Sequence, residues 1–411
     1  MSSWSTHRRV SWTWADRMAR LVCPYCYESF SEREIRFRCS GRNSRTGRAC
    51  RRSIDEVMER QVGRRMALPP VFAGDGRRKT APCPRCQDET SNHVCPFCHT
   101  QLPLHFGKVP TRLIAMVGPR ESGKTVFVTV LLHELMHRVG ARFDASVAAS
   151  DDWTRSRFGA EYEGRLYQHR ELFGATRSAA ATGNLVAPMV FRFAVERRGR
   201  FGRPATTRSL LSFFDTAGED LTSQESVDLN ARYLASADGI IVLLDPLQMP
   251  GARVLAAPGI RLPPLAPAPA SPVSVLTRVT ELLEARMPGG SSARVRRPLA
   301  VAFSKLDVLW HCLPEDSPLR RQPPGGPIFD SRDSLEVHDH VRALLDDWGG
   351  LQVDQLLRHH YARYRCFGFS ALGESPTEQN RLSVRGVQPY RVADPFLWLL
   401  AEFGTIPATG S

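Results

Sequence analysis

A chain of 411 residues with 42% hydrophobic content is long enough for two or three domains with packed cores, which excludes a disordered protein. The longest apolar runs, such as residues 126–132, fall far short of a membrane span, and Trp, Arg and Asp interrupt the first twenty residues where a signal peptide would need an apolar stretch, so a soluble cytoplasmic protein is expected. Of the formal charge of +13, residues 1–110 contribute +10 (20 Lys and Arg against 10 Asp and Glu), so a nucleic-acid contact, if any, belongs to the N-terminus, where an Arg-rich solvated surface is the competing explanation.

Residues 1–20 carry Trp4, Trp12 and Trp14 among several arginines without periodicity and read as a tail. Eight of the ten cysteines follow before residue 100. Cys23, Cys26, Cys39 and Cys50 form one candidate set in a first zinc-binding module, residues 21–68. After a linker at 69–80, Cys83-Pro84-Arg85-Cys86 and Cys95-Pro96-Phe97-Cys98 form a second set in a zinc ribbon, residues 81–105. Two such knuckles can place four thiolates tetrahedrally around one Zn²⁺, and a reducing cytoplasm disfavours disulfides. Four-thiolate sites leave no open position for a substrate, so both metals are expected to be structural, stabilising modules too small to fold on apolar burial alone. His93 and His99 flank the second set and are expected to be bystanders.

Residues 113–117 have a strand pattern and lead into Gly118-Pro119-Arg120-Glu121-Ser122-Gly123-Lys124-Thr125, after which a helical pattern runs to about residue 139. This is the strand, loop and helix of a P-loop. Glycines allow backbone N–H groups to close around a phosphate chain, and the positive end of the helix points at the same phosphates. Lys124 would reach the β- and γ-phosphates, and the Thr125 hydroxyl would ligate Mg²⁺. Only Lys79, Lys108, Lys124 and Lys305 break an otherwise all-arginine usage of 51, and two of those four lie in nucleotide motifs. A slim ammonium suits those places better than a planar guanidinium. The same helix carries His133-Glu134-Leu135-Met136-His137, a metalloprotease-like pattern. It is set aside, because the helix already serves the phosphate loop and no third ligand follows at a recognisable spacing.

Residues 140–184 are polar and mixed. Strands at 186–195 and 209–214 are expected to form an antiparallel hairpin, the second ending in Asp215-Thr216-Ala217-Gly218-Glu219. Asp215 could hold Mg²⁺ through water and the Gly218 N–H could touch the γ-phosphate. A buried-type strand at 239–244 precedes a Pro/Ala-rich insertion at 246–272 without periodicity, and a helix at 273–287 follows. The next strand ends in Ser304-Lys305-Leu306-Asp307. The Asp307 carboxylate can accept from both N1–H and the N2 amino group of guanine, a pairing adenine does not offer, with Lys305 along the base. Helices at 334–348 and 351–363 lead to a last strand ending in Ser370-Ala371, and a final helix at 395–403 should pack Phe396, Trp398 and Leu399 on the sheet. Cys312 and Cys366 are expected to be ordinary small residues.

These four motifs, in this order and at strand ends, resemble those of the Ras-like GTPases of the TRAFAC class over residues 110–405. With the paired cysteines and the closing segment Ala393-Asp394-Pro395-Phe396-Leu397-Trp398-Leu399-Leu400, the chain is most similar to the second type of double-GTPase domain, found in bacterial operons assigned to biological conflict. The resemblance implies an α/β fold, a doubly wound, mainly parallel P-loop NTPase sheet with one antiparallel edge strand over residues 108–408, preceded by the zinc-binding modules. It implies GTP or GDP with Mg²⁺, hydrolysis that drives a molecular switch, and a second GTPase as partner. A first-switch Thr should complete the Mg²⁺ shell, with Thr182 preferred to Thr176; the Ala371 N–H would meet the guanine O6. Three residues depart from the pattern. Glu219 stands where a water-orienting Gln is usual, which implies weak or partner-dependent hydrolysis. Arg120 crowds the phosphate loop where many relatives have Gly, and could act as a cis arginine or hinder the water. Ser304 replaces Asn or Thr, and its short side chain is expected to weaken the tie to the phosphate loop. A hydrolysis-poor nucleotide-sensing adaptor and a zinc-ribbon nucleic-acid-binding ATPase are the alternatives.

Overall fold

The computed structural model describes residues 20–42, 49–174, 188–198, 204–213, 232–260, 262–285, 287, 293–377 and 381–409. The chain divides into two compact units, Met1–Leu102 and Pro103–Ser411.

The first unit is organised by one short strand. Arg36–Arg38 pairs antiparallel on one side with Val71–Phe72 and on the other with His93–Val94, so that Phe37 lies opposite both Phe72 and His93. The segment expected to be a linker therefore supplies a strand, and the last knuckle folds back on the first. The consequence is a correction to the cysteine sets, which are nested rather than sequential. Cys23 and Cys26 meet Cys95 and Cys98, and Cys39 and Cys50 meet Cys83 and Cys86. Between the inner pairs runs the helix Glu56–Val62, whose first turn is capped by Asp55 accepting from the Met58 N–H and whose end is turned by Gly63 at φ 66°.

The second unit is built on a seven-stranded sheet. Its strands are β1 (Thr111–Val117), β2 (Ala145–Ala149), β3 (Met189–Arg198), β4 (Pro204–Phe213), β5 (Gly239–Leu244), β6 (Leu299–Phe303) and β7 (Tyr364–Gly368), in the order β2-β3-β4-β1-β5-β6-β7. β1 runs parallel to β4 and β5, and β5, β6 and β7 are mutually parallel; β3 is antiparallel to β4 and to β2. The hairpin of β3 and β4 is present, but β2 adds a further strand outside it, so the antiparallel strand lies one position in from the edge.

β5 and β6 are wholly buried and read as continuous apolar runs, as parallel strands covered on both faces do. The helix α1 (Lys124–His137) is buried on nearly every side, through Phe127, Val128, Val130, Leu131, Leu132 and Leu135, because the sheet covers one flank and the stretch Phe158–Gln168, a π-helix, packs on another. Phe396, Trp398 and Leu399 of α2 (Asp394–Glu402) join the same core, as the sequence suggests. Where β1 outruns its pairing with β4, the Tyr233 hydroxyl donates to Ile114 O (2.8 Å) and accepts from the Met116 N–H (3.1 Å). Within the insertion, Pro250–Val254 is helical, and the Arg253 guanidinium donates to the Leu247 and Pro263 carbonyls. No helix among the described residues is long and apolar enough to cross a membrane.

Candidate nucleotide site and cysteine centres

The register of the parallel strands sets the site. Leu244 lies beside Phe303, and Phe303 beside Gly368, so the residues that follow (Asp245, Ser304 and Phe369) leave the sheet at one level. β1 ends at Val117 next to them, on the side where the strand order reverses. The loops enclose a cleft of about 450 Å³ lined by phosphate-loop residues Arg120, Glu121, Gly123, Lys124 and Thr125 together with Ser304, Lys305, Asp307 and Ala371.

The phosphate loop needs its special backbone. Gly123 at φ 87° and Glu121 at φ 62° turn the chain through the left-handed region into α1, and a Cβ at Gly118 would collide with the Leu243 carbonyl oxygen. Lys124 is buried, and its ammonium donates to the Gly118 and Pro119 carbonyls at 2.8 and 2.9 Å. The Ser122 hydroxyl is buried with no hydrogen-bond partner among the described residues. A buried ammonium and an orphaned hydroxyl in a loop entering a helix N-terminus suit a polyanion.

The Ser304 hydroxyl donates to the Ser122 carbonyl at 2.9 Å and approaches Leu244 O at 3.3 Å, so the short side chain ties its loop to the phosphate loop. On the other side, the Ser370 hydroxyl donates to Asp307 Oδ1 at 2.6 Å and accepts from the Gly373 N–H, which fixes one carboxylate oxygen. Phe127 of α1 packs on Phe369 with ring centroids 5.0 Å apart, joining the two ends of the cleft from beneath. Lys305, at φ 56°, reaches Asp245 with 2.5 Å between Nζ and Oδ2.

Asp245 was not among the residues singled out from the sequence. Its carboxylate is nearly buried, and its other oxygen caps the next turn through the Leu247 N–H. The only signal for it is an Asp-Pro at the end of a buried strand, which reads as a turn. Leu172, Phe173, Glu374 and Ser375 also line the cleft and were not anticipated. Thr176, Thr182, Asp215, Gly218 and Glu219 lie outside the described residues.

In the first unit, Sγ–Sγ distances are 3.8 Å for Cys23–Cys98 and 3.7 Å for Cys26–Cys95 in the outer set, and 3.6 Å for Cys39–Cys86 and 3.8 Å for Cys50–Cys83 in the inner set. Burial, then the neighbouring thiols, push the Cys50 thiol up to about 12 and raise Cys23 as well. Four thiolates this close repel unless a cation sits among them, so the donor sets fit Zn²⁺. His93 and His99 are engaged elsewhere: His93 with the Ser91 and Arg78 carbonyls, His99 with Asp55. Asp55 also binds Arg38 at 2.7 Å.

His133 and His137 meet a third group, Glu163, which comes from the π-helical stretch and not from a spacing visible in the chain.

Comparison with known proteins bears on the second unit above all. A family model described as Double-GTPase 2 matches residues 112–341, more than half of the chain. A protein of Mycolicibacterium smegmatis named "Putative ESX-1 scaffolding and assembly protein SaeC" is 29% identical over 351 residues, covering 80% of this chain and 84% of that one. Among solved structures, the signal recognition particle receptor SRb-GTP/SRX complex from Chaetomium thermophilum is similar at a TM-score of 0.29 and 12% identity, over 66% of this chain and 95% of that one. The Ski7 GTPase-like domain of S. cerevisiae, bound to GDP and inorganic phosphate, matches at 0.30 and 12%, over 72% of this chain and 51% of that one.

Proposed function

Because the chain belongs to the Double-GTPase 2 family, we propose that its cleft takes GTP with Mg²⁺ and hydrolyses it slowly, as a switch read by a protein partner. The observation that supports this reading is the tie from Ser304 to Ser122 together with the clasp of Ser370 on Asp307, which holds that carboxylate on a loop bonded to the phosphate loop.

In this reading Lys124 and the loop N–H groups hold the phosphates and offset charge that develops on them. Thr125 and Asp215 would hold the metal, which when bound supplies electrostatic stabilisation of the phosphates. Asp307 accepts from guanine N1–H and N2, Lys305 lies along the base, and the Ala371 N–H meets O6. Thr182 and Gly218 belong to the two switches. Glu219 places a carboxylate where a neutral amide would orient water, which favours slow turnover that a partner accelerates. Eight cysteines, Cys23, Cys26, Cys95 and Cys98 with Cys39, Cys50, Cys83 and Cys86, hold two Zn²⁺ as structural centres.

The partner reading has two sources. The family implies a second GTPase and a conflict system, whereas the M. smegmatis relative's name points to ESX-1 scaffolding and assembly. Likeness over most of both chains favours an assembly scaffold gated by nucleotide, and a poor hydrolase would suit that role. Calorimetry with GTP, GDP and ATP on wild type, Lys124→Ala and Asp307→Ala tests the core of the proposal. Lys124→Ala should abolish binding, and Asp307→Ala should remove the preference for guanine. Tight ATP binding by the wild type, or guanine preference that survives Asp307→Ala, would overturn it.

A further inference from the structure

The helix that leaves the phosphate loop carries His133 and His137 one turn apart, and the π-helical stretch Phe158–Gln168 packs on it and brings Glu163 to the same point. His133 Nδ1 lies 2.7 Å and His137 Nε2 lies 3.5 Å from the same oxygen, Glu163 Oε1. The three ligating atoms fall within 4.8 Å of one another. We propose that His133, His137 and Glu163 form a third metal site, for a first-row divalent ion of the Zn²⁺ or Co²⁺ class, which fastens the π-helical stretch to α1.

The chemistry of the donors selects the ion. Two imidazoles and one carboxylate suit borderline transition metals, whereas Mg²⁺ and Ca²⁺ prefer all-oxygen shells. Three protein ligands leave a position open, unlike the closed cysteine tetrads. The geometry is supported from outside the ligand set: Tyr167, one turn on from Glu163, stacks on the His133 ring at 3.8 Å between centroids and 19° between planes, so two residues of the π-helical stretch bear on one imidazole. π-Helical turns recur at functional positions, and this one sets where Glu163 and Tyr167 project. Side-chain exposures of 23%, 55% and 28% for His133, His137 and Glu163 leave an entry path from solvent. His133 lies about 14 Å along α1 from Lys124 at about 1.5 Å per residue, so this site is separate from the nucleotide's own metal. The proposal does not revive a peptidase: Glu134, the base such an enzyme would need, is buried and lies 3.6 Å from Arg138.

The test uses the full chain, saturated with zinc at its cysteine tetrads and free of nucleotide, with Co²⁺ as the probe in equilibrium dialysis and absorption spectroscopy. The wild type should take up one further equivalent of Co²⁺, with ligand-field bands but no sulfur-to-cobalt charge transfer. His137→Ala, a change at a half-exposed side chain, should lose that equivalent. Glu163→Gln should weaken it by more than the about 10- to 100-fold that outer-sphere changes cost. If wild type and His137→Ala take up the same amount of Co²⁺, the three residues are only a hydrogen-bonded cluster and the proposal fails.

Discussion

Asp245→Asn isolates the charge that holds Lys305. The pair is close, at 2.5 Å, with the Asp245 side chain 4% exposed and the Lys305 side chain 35% exposed. Fully exposed pairs contribute about 0.2–1 kcal/mol, and breaking a buried one costs about 3–5 kcal/mol. One partner here is buried and the other a third in water, so we expect about 1–2 kcal/mol. Asparagine keeps an acceptor oxygen for the Leu247 N–H, which now bonds Asp245 Oδ1 at 2.9 Å, so the local turn survives and only the charge is removed. If the pair positions Lys305 along the base, the same energy should appear in nucleotide binding, as roughly a 5- to 30-fold weaker Kd for GTP. A double-mutant cycle with Lys305→Met, read by calorimetry and by urea unfolding, separates the coupling from side effects. The Asp245→Asn penalty should nearly vanish in the Lys305→Met background. Penalties that simply add, within about 0.3–0.5 kcal/mol, would show that Asp245 does not act through Lys305.

Nesting of the cysteines is testable by counting bound zinc in dialysed protein. Cys26→Ser should lose one zinc, Cys26→Ser with Cys95→Ser no more than one, and Cys26→Ser with Cys39→Ser both; retention of one zinc in the last variant would restore the sequential grouping. His338 gives a pH signature. Burial, then Arg365, lower it from 6.5 to about 4, and its Nδ1 accepts the Cys366 N–H at 3.0 Å. Asp339, Arg342 and Asp354 also act on it. The unfolded chain binds the proton more readily, so the stabilisation is complete above about pH 6.5, declines as pH falls toward 4 and is lost below that, by about 3 kcal/mol in all. His338→Gln should flatten that part of the unfolding profile, and an unchanged slope would refute the assignment.

The cleft was largely legible because the residues that line it are carried by loops of fixed spacing at strand ends. Gly118 to Thr125, Ser304 to Asp307 and Ser370-Ala371 each announce a turn within a few residues. What escaped is what depends on contacts distant in sequence. The meeting of Cys23 with Cys98 goes with the pairing of His93–Val94 onto Arg36–Arg38, two short strands far apart in the chain. β2 escaped because Ala-Ser-Val-Ala-Ala has one large apolar side chain and so shows no alternation. Glu163 meets His133 through a helix that does not follow the usual 3.6-residue period.

The concentric order of the cysteine pairs governs how the first unit can be made. During synthesis the inner quartet closes only when Cys86 has left the ribosome, and the outer one waits for Cys98, the last of the eight to emerge. No shorter nascent chain has a complete outer centre to fold around. A cut or a stop anywhere from residue 27 to residue 94 separates Cys23 and Cys26 from their mates, so the outer centre needs nearly the whole unit while the inner one can close on residues 39–86 alone.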